Sequence, residues 1–332
     1  MHAAASATPK AYNPQQGYLS NWNNRPAPDK TNTDAYYWTY GDRVNELNVQ
    51  FAEKDTFTVQ EIWDFNRQAS YHDVNWRYFQ PHLQNAAAAQ PTTSPAHDMT
   101  TLLVAWDGLE TDDGQGMNNG PERLIFKTWL EEMYKLVLVP ALPEAHKASY
   151  TNTGFATTTG PNPGSINLSM GTKVLLRALA LEQSPDANRY NFFAQHPSSE
   201  VIQQALENTY QRLSTEHGAD ISNWKLSSSV HKFSDRNFTG TPQTTEGNTF
   251  SFTGYQNRGT ENNRIVFLGD TVEFCDAMPP GQSGFIDRNG TKSPHYDDQL
   301  ALYQNFGCKA VSTTVDDIKA NTVDSTVLIV VN

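Results

Sequence analysis

Apolar residues change their spacing once along this chain, and that change limits the folds open to it. From Thr58 to His217 they recur at helical intervals interrupted by Pro and Gly; after Gly218 they alternate or run together as strands do. Helices gathered in one stretch and strands in another describe an α+β chain. Before the change, residues 1–57 are rich in Asn, Pro, Tyr and Trp, and Arg25-Pro26-Ala27-Pro28-Asp29-Lys30 forbids a long helix there. That stretch is expected to be an irregular, hydrogen-bonded surface segment, the kind of loop that often carries a site. The organisation read from the sequence is therefore a loop segment over 1–57, a mainly helical part over 58–217, and strands with one helix over 218–332.

Three helices are signalled most clearly. Thr58-Val59-Gln60-Glu61 has capping-box spacing, and Ile62 and Phe65 give the following helix an apolar face. Gly120-Pro121-Glu122 opens a second, from Arg123 to Val139, in which Leu124, Ile125, Trp129, Met133, Leu136 and Val137 recur until Pro140 stops it. The third runs from Glu200 to His217 on a stripe of Val201, Ile202, Ala205, Leu206, Thr209 and Leu213. Ser198 or Ser199 is expected to cap its start and Gly218 its end. Further on, Asn248 to Phe252 alternates, Arg264-Ile265-Val266-Phe267-Leu268 reads as a buried strand, Tyr296 to Phe306 as a helix, and Val327 to Val331 as a β-branched terminal strand.

Composition removes several classes of function. Of 332 residues, 24 are Lys or Arg and 36 are Asp or Glu, so the net charge is -12 and no basic face exists to collect phosphates; nucleic acid is not expected as a partner. No apolar run reaches bilayer length, and residues 1–13 lack the basic start and apolar middle of a secretion signal. The chain is expected to be soluble, with no membrane partner. Apolar residues make up only 37%, yet aromatics reach 11%, so the core is expected to form around large rings. Cys275 and Cys308 match no zinc spacing, and their separation allows either a disulfide or two buried thiols.

The familiar catalytic motifs are absent: no Gly-x-Ser-x-Gly elbow, no His-Glu-x-x-His, no phosphate loop, no dinucleotide fingerprint. Gly281-Gln282-Ser283-Gly284 falls short of the elbow and reads as a tight turn after Pro279-Pro280, with Gly supplying positive φ. Asn21-Trp22-Asn23-Asn24 is richer, since its amides could meet a developing oxyanion while Trp22 excludes water. By pattern alone it is an Asx-turn cluster. Arg43 in Gly41-Asp42-Arg43 could orient an amide or a carboxylate with its planar fork, although an ion pair with Asp42 or Glu46 is the simpler account. Asp34 offers an oxygen ligand for Ca²⁺, which needs several more, and Glu110, Asp112 and Asp113 read as a solvated acidic turn.

Five blocks in order carry a resemblance. Tyr12-Asn13-Pro14-Gln15-Gln16-Gly17-Tyr18, then Asn21 to Asn24 with Gly41-Asp42-Arg43, then Tyr255 to Asn262, Pro280 to Ile286 and His295-Tyr296-Asp297-Asp298-Gln299-Leu300 resemble the penicillin acylase family, in particular the C-terminal part of the β chain in its penicillin G branch. The resemblance implies a partial αββα N-terminal-nucleophile hydrolase fold with a helical segment in its middle. It implies a periplasmic or secreted enzyme that hydrolyses acyl, phenylacetyl-like amides of penicillins. In that family the serine that begins the β chain attacks the amide, with its own α-amino group as base. Asn23 matches the side-chain donor of the oxyanion hole, Arg43 the arginine that supports Asn23, and Asp34 a ligand of structural calcium. Tyr36-Tyr37-Trp38 is placed near the acyl pocket. An oxidising location makes the Cys275–Cys308 disulfide the expected state.

One departure from the pattern is large. Residue 1 is Met, residue 2 is His, and no Ser-Asn start precedes Tyr12. The chain is thus expected to be a fragment that needs an α chain and the N-terminal part of the β chain as partners, and to be inactive alone. The readings left beside amide hydrolysis are a non-catalytic remnant or binding module with the acylase shell, and an acyl-homoserine-lactone acylase.

Overall fold

The computed structural model describes residues 9–22, 24, 43–150, 170–182, 190–193, 196–228, 230–233, 250–253, 262–322 and 325–329. They divide between two compact units, one holding the helices up to residue 228 and the other the strands and short helices beyond 230. The architecture is mixed helix and small sheet, an α+β chain.

The helical unit begins with α1 (Asn45–Phe51), α2 (Val59–Tyr71), α3 (Trp76–Ala89) and α4 (His97–Val104). The capping box at α2 is present as the sequence predicts: Thr58 N–H donates to Glu61 Oε2 at 2.7 Å and Glu61 N–H to Thr58 Oγ1 at 3.2 Å. The apolar face of α2 is narrower than expected, because Phe65 packs edge-on to Phe51 and Phe57 whereas Ile62 stays exposed. After α5 (Glu122–Met133) the backbone widens into a π-helical turn over Tyr134–Leu138 before the chain turns at Val139 and Pro140. The unit continues with α6 (Glu144–Tyr150), α7 (Met170–Glu182) and α8 (Ser198–His217). No serine side chain caps α8; the helix starts at Ser198, behind Pro197, whose fixed φ suits a helix entry. Gly218 closes it with φ +87°, a conformation that glycine alone adopts without strain.

The core is aromatic, as the composition predicts. Trp76, Phe79, Phe126 and Trp129 are buried and in ring contact, with Phe126 and Trp129 stacked at 6.0 Å and Phe79 edge-on to Trp129 at 5.6 Å. Leu206 and Leu213 of α8 close over them with Leu130 and Met133. Each buried ring of this size stabilises by about 1.5–3 kcal/mol, whereas a surface helix pair such as Arg212–Glu216 contributes a few tenths. Ring burial therefore decides how α3, α5 and α8 pack.

In the second unit β1 (Val230–Phe233) pairs with β2 (Phe250–Thr253), and β3 (Asn262–Leu268), β4 (Thr271–Ala277) and β5 (Lys309–Val311) form an antiparallel sheet in the order β3-β4-β5. Register runs from Asn262 opposite Ala277 to Leu268 opposite Thr271, and Gly269 at φ +63° makes the two-residue hairpin. Cys275 of β4 and Cys308, just before β5, form a disulfide with Cα atoms 5.5 Å apart. The unit also carries α9 (Leu300–Gln304) and α10 (Val315–Asn321).

Three expectations fail in this unit. β3 is not buried: Ile265, Phe267 and Leu268 are exposed, Phe267 by 74%, because nothing among the described residues covers that face of the sheet. The helix expected from Tyr296 to Phe306 shrinks to α9, since Gln299 N–H bonds to Pro280 O and Tyr296 N–H to Ser293 O, holding 293–299 in turns. Of the strand expected from Val327 to Val331, residues 327–329 are exposed and form no strand, and Val330 and Val331 lie outside the described residues. At Gly281 the chain bends without a hydrogen-bonded turn, and the glycine is required for a different reason. Gly281 does not have positive φ; a Cβ there would collide with the His295 and Tyr296 backbone.

Candidate active site

The irregular segment that precedes α1 lies against that helix. Tyr18 stacks on Phe51 at 4.7 Å, and the Ser20 hydroxyl is 2.5 Å from Asn48 Oδ1. Asn24 Oδ1 accepts Trp22 N–H at 2.9 Å, a local turn bond of the kind that Asn clusters make. Arg43, just before α1, reaches back to the same segment. Its Nε donates to Trp22 O at 3.1 Å and its guanidinium lies 5.1 Å from the centre of the Trp22 ring, close enough for cation–π attraction. Only 4% of Arg43 is exposed. Burying a guanidinium this deep is costly unless hydrogen bonds and attraction offset it, and the Trp22 carbonyl and indole face supply part of that.

The simpler account of Arg43 fails in its Glu46 half. Glu46 is taken by others: Arg77 grips it with Nε to Oε1 at 2.6 Å and a second bond to Oε2 at 2.7 Å, and His72 Nδ1 lies 3.1 Å from Oε2. Burial pushes the Glu46 carboxyl up, but His72 and Arg77 together outweigh it and hold it below the usual carboxylate range. His72 Nε2 meets Asp107 O at 3.1 Å, so the corner between α2 and α3 joins the same network. Asp42 lies outside the described residues, as do Asn23, Asp34 and the Tyr36-Tyr37-Trp38 run. Of the sequence-predicted site residues, then, Arg43 is placed, against Trp22.

A second buried polar group was misread from the sequence as a solvated turn. Glu110 is buried and ion-paired with Arg123 near the start of α5, and Asp73 approaches within hydrogen-bond reach. Burial pushes the Glu110 carboxyl well up; Arg123 pulls it back and Asp73 adds to the rise, since one guanidinium cannot neutralise two carboxylates. Glu110, Arg123, Asn118 and Glu122 line a cavity of about 330 Å³. Asp112 and Asp113 fit the turn reading better: they accept the N–H groups of Gly114 and Gln115, and Asp113 pairs with Lys225 at 3.0 Å. No local signal marked Glu110, because its cationic partner stands 13 residues away on another element.

Calcium needs several converging oxygens. Among the described residues no group of three or more His, Cys, Asp or Glu side chains converges in that way, so this part of the chain does not by itself fit the ion. Also among the described residues, no helix is long and apolar enough to cross a membrane.

Comparison with known proteins shows the family. The sequence model described as Penicillin amidase matches residues 2–320. Penicillin G acylase of Escherichia coli is 39% identical over 321 residues, which are 94% of this chain and 38% of that protein. The structure of a thermostable penicillin G acylase from Alcaligenes faecalis is similar at 63% identity with a TM-score of 0.92, covering 99% of this chain and 60% of that one. The chain thus spans 38% of the curated relative and 60% of the solved one, and shares the latter's fold over nearly all its own length. Family match, fold and the five ordered sequence blocks agree, and the chain belongs to the penicillin amidase family.

Proposed function

We propose that this chain is part of an amidohydrolase of the penicillin acylase type, built on a partial αββα N-terminal-nucleophile hydrolase fold and acting on acyl amides with a phenylacetyl-like acyl group. The observation that carries the reading is Arg43, buried over the Trp22 ring and donating to the Trp22 carbonyl, in a chain that matches the family from residue 2 to residue 320. In this reading a serine outside residues 1–332 attacks the amide carbonyl carbon through Oγ and gives its proton to its own α-amino group. The Asn23 side-chain amide donates to the carbonyl oxygen as negative charge develops there, and Arg43 holds that segment in place. The amine leaves with a proton, and water then hydrolyses the acyl-enzyme to release the carboxylic acid. Asp34 is assigned as one ligand of a structural calcium ion whose other ligands lie elsewhere in the enzyme. A periplasmic or secreted location goes with this reading, and the Cys275–Cys308 disulfide supports it, because cytosolic thiols are kept reduced.

The test is an assay on phenylacetyl anilide. The enzyme expressed from its complete gene is expected to release the aniline, with the acyl-enzyme visible as a burst where its hydrolysis is slow, and the 332-residue chain alone to release none. Turnover by the chain alone at an enzymatic rate overturns the placing of the nucleophile. No turnover by the complete enzyme overturns the reaction.

A further inference from the structure

Helix α1 is only seven residues long and could not hold its own shape in water. It is fixed from two sides. On one, Asn48 meets Ser20 and Phe51 stacks on Tyr18, tying α1 to the Trp22 segment. On the other, Glu46 is gripped by both nitrogens of the Arg77 fork and by His72, while Asn45 Nδ2 donates to the Tyr78 hydroxyl at 2.7 Å. Arg43 stands at the head of this lever. Its carbonyl accepts the Glu46 N–H at 3.0 Å, which ties the backbone that carries the guanidinium to the first turn of α1.

We infer that Glu46, clamped by Arg77 and His72, is the positioning residue for Arg43: the buried carboxylate anchors the first turn of α1 to α3 and so sets where the Arg43 guanidinium stands against the Trp22 segment. The inference rests on the assignment of Arg43 given above. Glu46 touches no reacting atom in it. A carboxylate is suited to the task because a bidentate pair with a guanidinium fixes both distance and plane, which a single hydrogen bond does not.

A double-mutant cycle in the enzyme expressed from its complete gene tests this, with kcat and KM on phenylacetyl anilide as readouts. Glu46→Gln keeps the shape of the side chain and removes its charge. It is expected to lower kcat about tenfold, as small displacements of site groups do, with little change in KM. In an Arg43→Lys background the same substitution is expected to cost less than about twofold, because two residues acting through one another are not additive. Arg77→Lys, which keeps the charge and breaks the fork, is expected to repeat the pattern, and it replaces Glu46→Gln in the cycle should that variant melt below the assay temperature. An equal fold loss in both backgrounds overturns the inference, since Glu46 would then act independently of Arg43. So does an unchanged kcat in Glu46→Gln. If Arg43→Lys itself leaves kcat unchanged, the assignment of Arg43 has failed and the inference falls with it, a result separate from the other two.

Discussion

At Glu110 two carboxylates and one guanidinium share a place that water barely reaches, and charge balance decides what they do. Asp73 and Glu110 bring one more negative charge than Arg123 can neutralise, so the site favours an extra proton. The folded-state Glu110 carboxyl is raised above its ordinary value of 4.5. Its contribution to stability is therefore complete below that value and lost as pH rises through the folded pKa. Thermal melts over about pH 4 to 8 are expected to show a flatter pH profile for Glu110→Gln than for the native chain, because the amide has no proton to lose as the pH rises through the folded pKa. Parallel profiles would show that Glu110 stays ionised. Glu46 shifts the other way. Burial there is outweighed by His72 and Arg77, so what Glu46 contributes is present above the ordinary carboxylate pKa and lost as acid carries the pH down through the lowered one. The two acids look alike in the sequence. Residues such as Asn23 and Asp34 could be named only through resemblance, since nothing in one amide or one carboxylate distinguishes a functional role from a turn.

Among elements, the bend at Gly281 shows how a local reading can be near in place and wrong in cause. The breaker cluster marks a turn, but Gly281 is needed because the His295–Tyr296 backbone crosses directly over it. Gly281→Ala is expected to destabilise the second unit by about 1–3 kcal/mol, read as a lower denaturant midpoint, because the obstructing atoms are backbone and cannot swing away. A change within experimental error would mean that the loop has room to shift. The helices α2, α5 and α8 were legible because period, caps and breakers are local properties; each appears where expected, except that α5 ends at Met133 and the π-helical turn carries the chain on to Leu138. The exposure of β3, the shortening of α9 and the absence of a strand at 325–329 were not legible. Burial of a strand and pairing of an edge depend on what lies across from it, and five residues such as Arg264 to Leu268 carry no record of that. The π-helical turn after Met133 was also silent in the sequence. It lets Tyr134 reach α7, where its hydroxyl lies 2.5 Å from Thr172 Oγ1.

For the whole molecule the coverage of its relatives and the distribution of apolar surface tell one story. Exposed large side chains gather in the second unit, on Ile265, Phe267 and Leu268 of β3 and on Val315 and Ile318 of α10, with Leu328 exposed by 89%. Monomers seldom leave that much apolar sheet and edge open. The 332-residue chain by itself is expected to self-associate with concentration in sedimentation velocity, and Phe267→Glu to weaken the association; a chain that stays monomeric throughout would show that these side chains find cover of their own. The strap from Met278 to Gly307 has its own logic. Its two ends are joined by the Cys275–Cys308 bridge, and its middle is gathered by Gln299, whose N–H meets Pro280 O and whose Oε1 accepts Met278 N–H. A protease that makes one cut inside the strap severs the backbone but releases no fragment, so until a reductant arrives the two pieces travel as one molecule, heavier than the intact chain only by the water that the cut consumed.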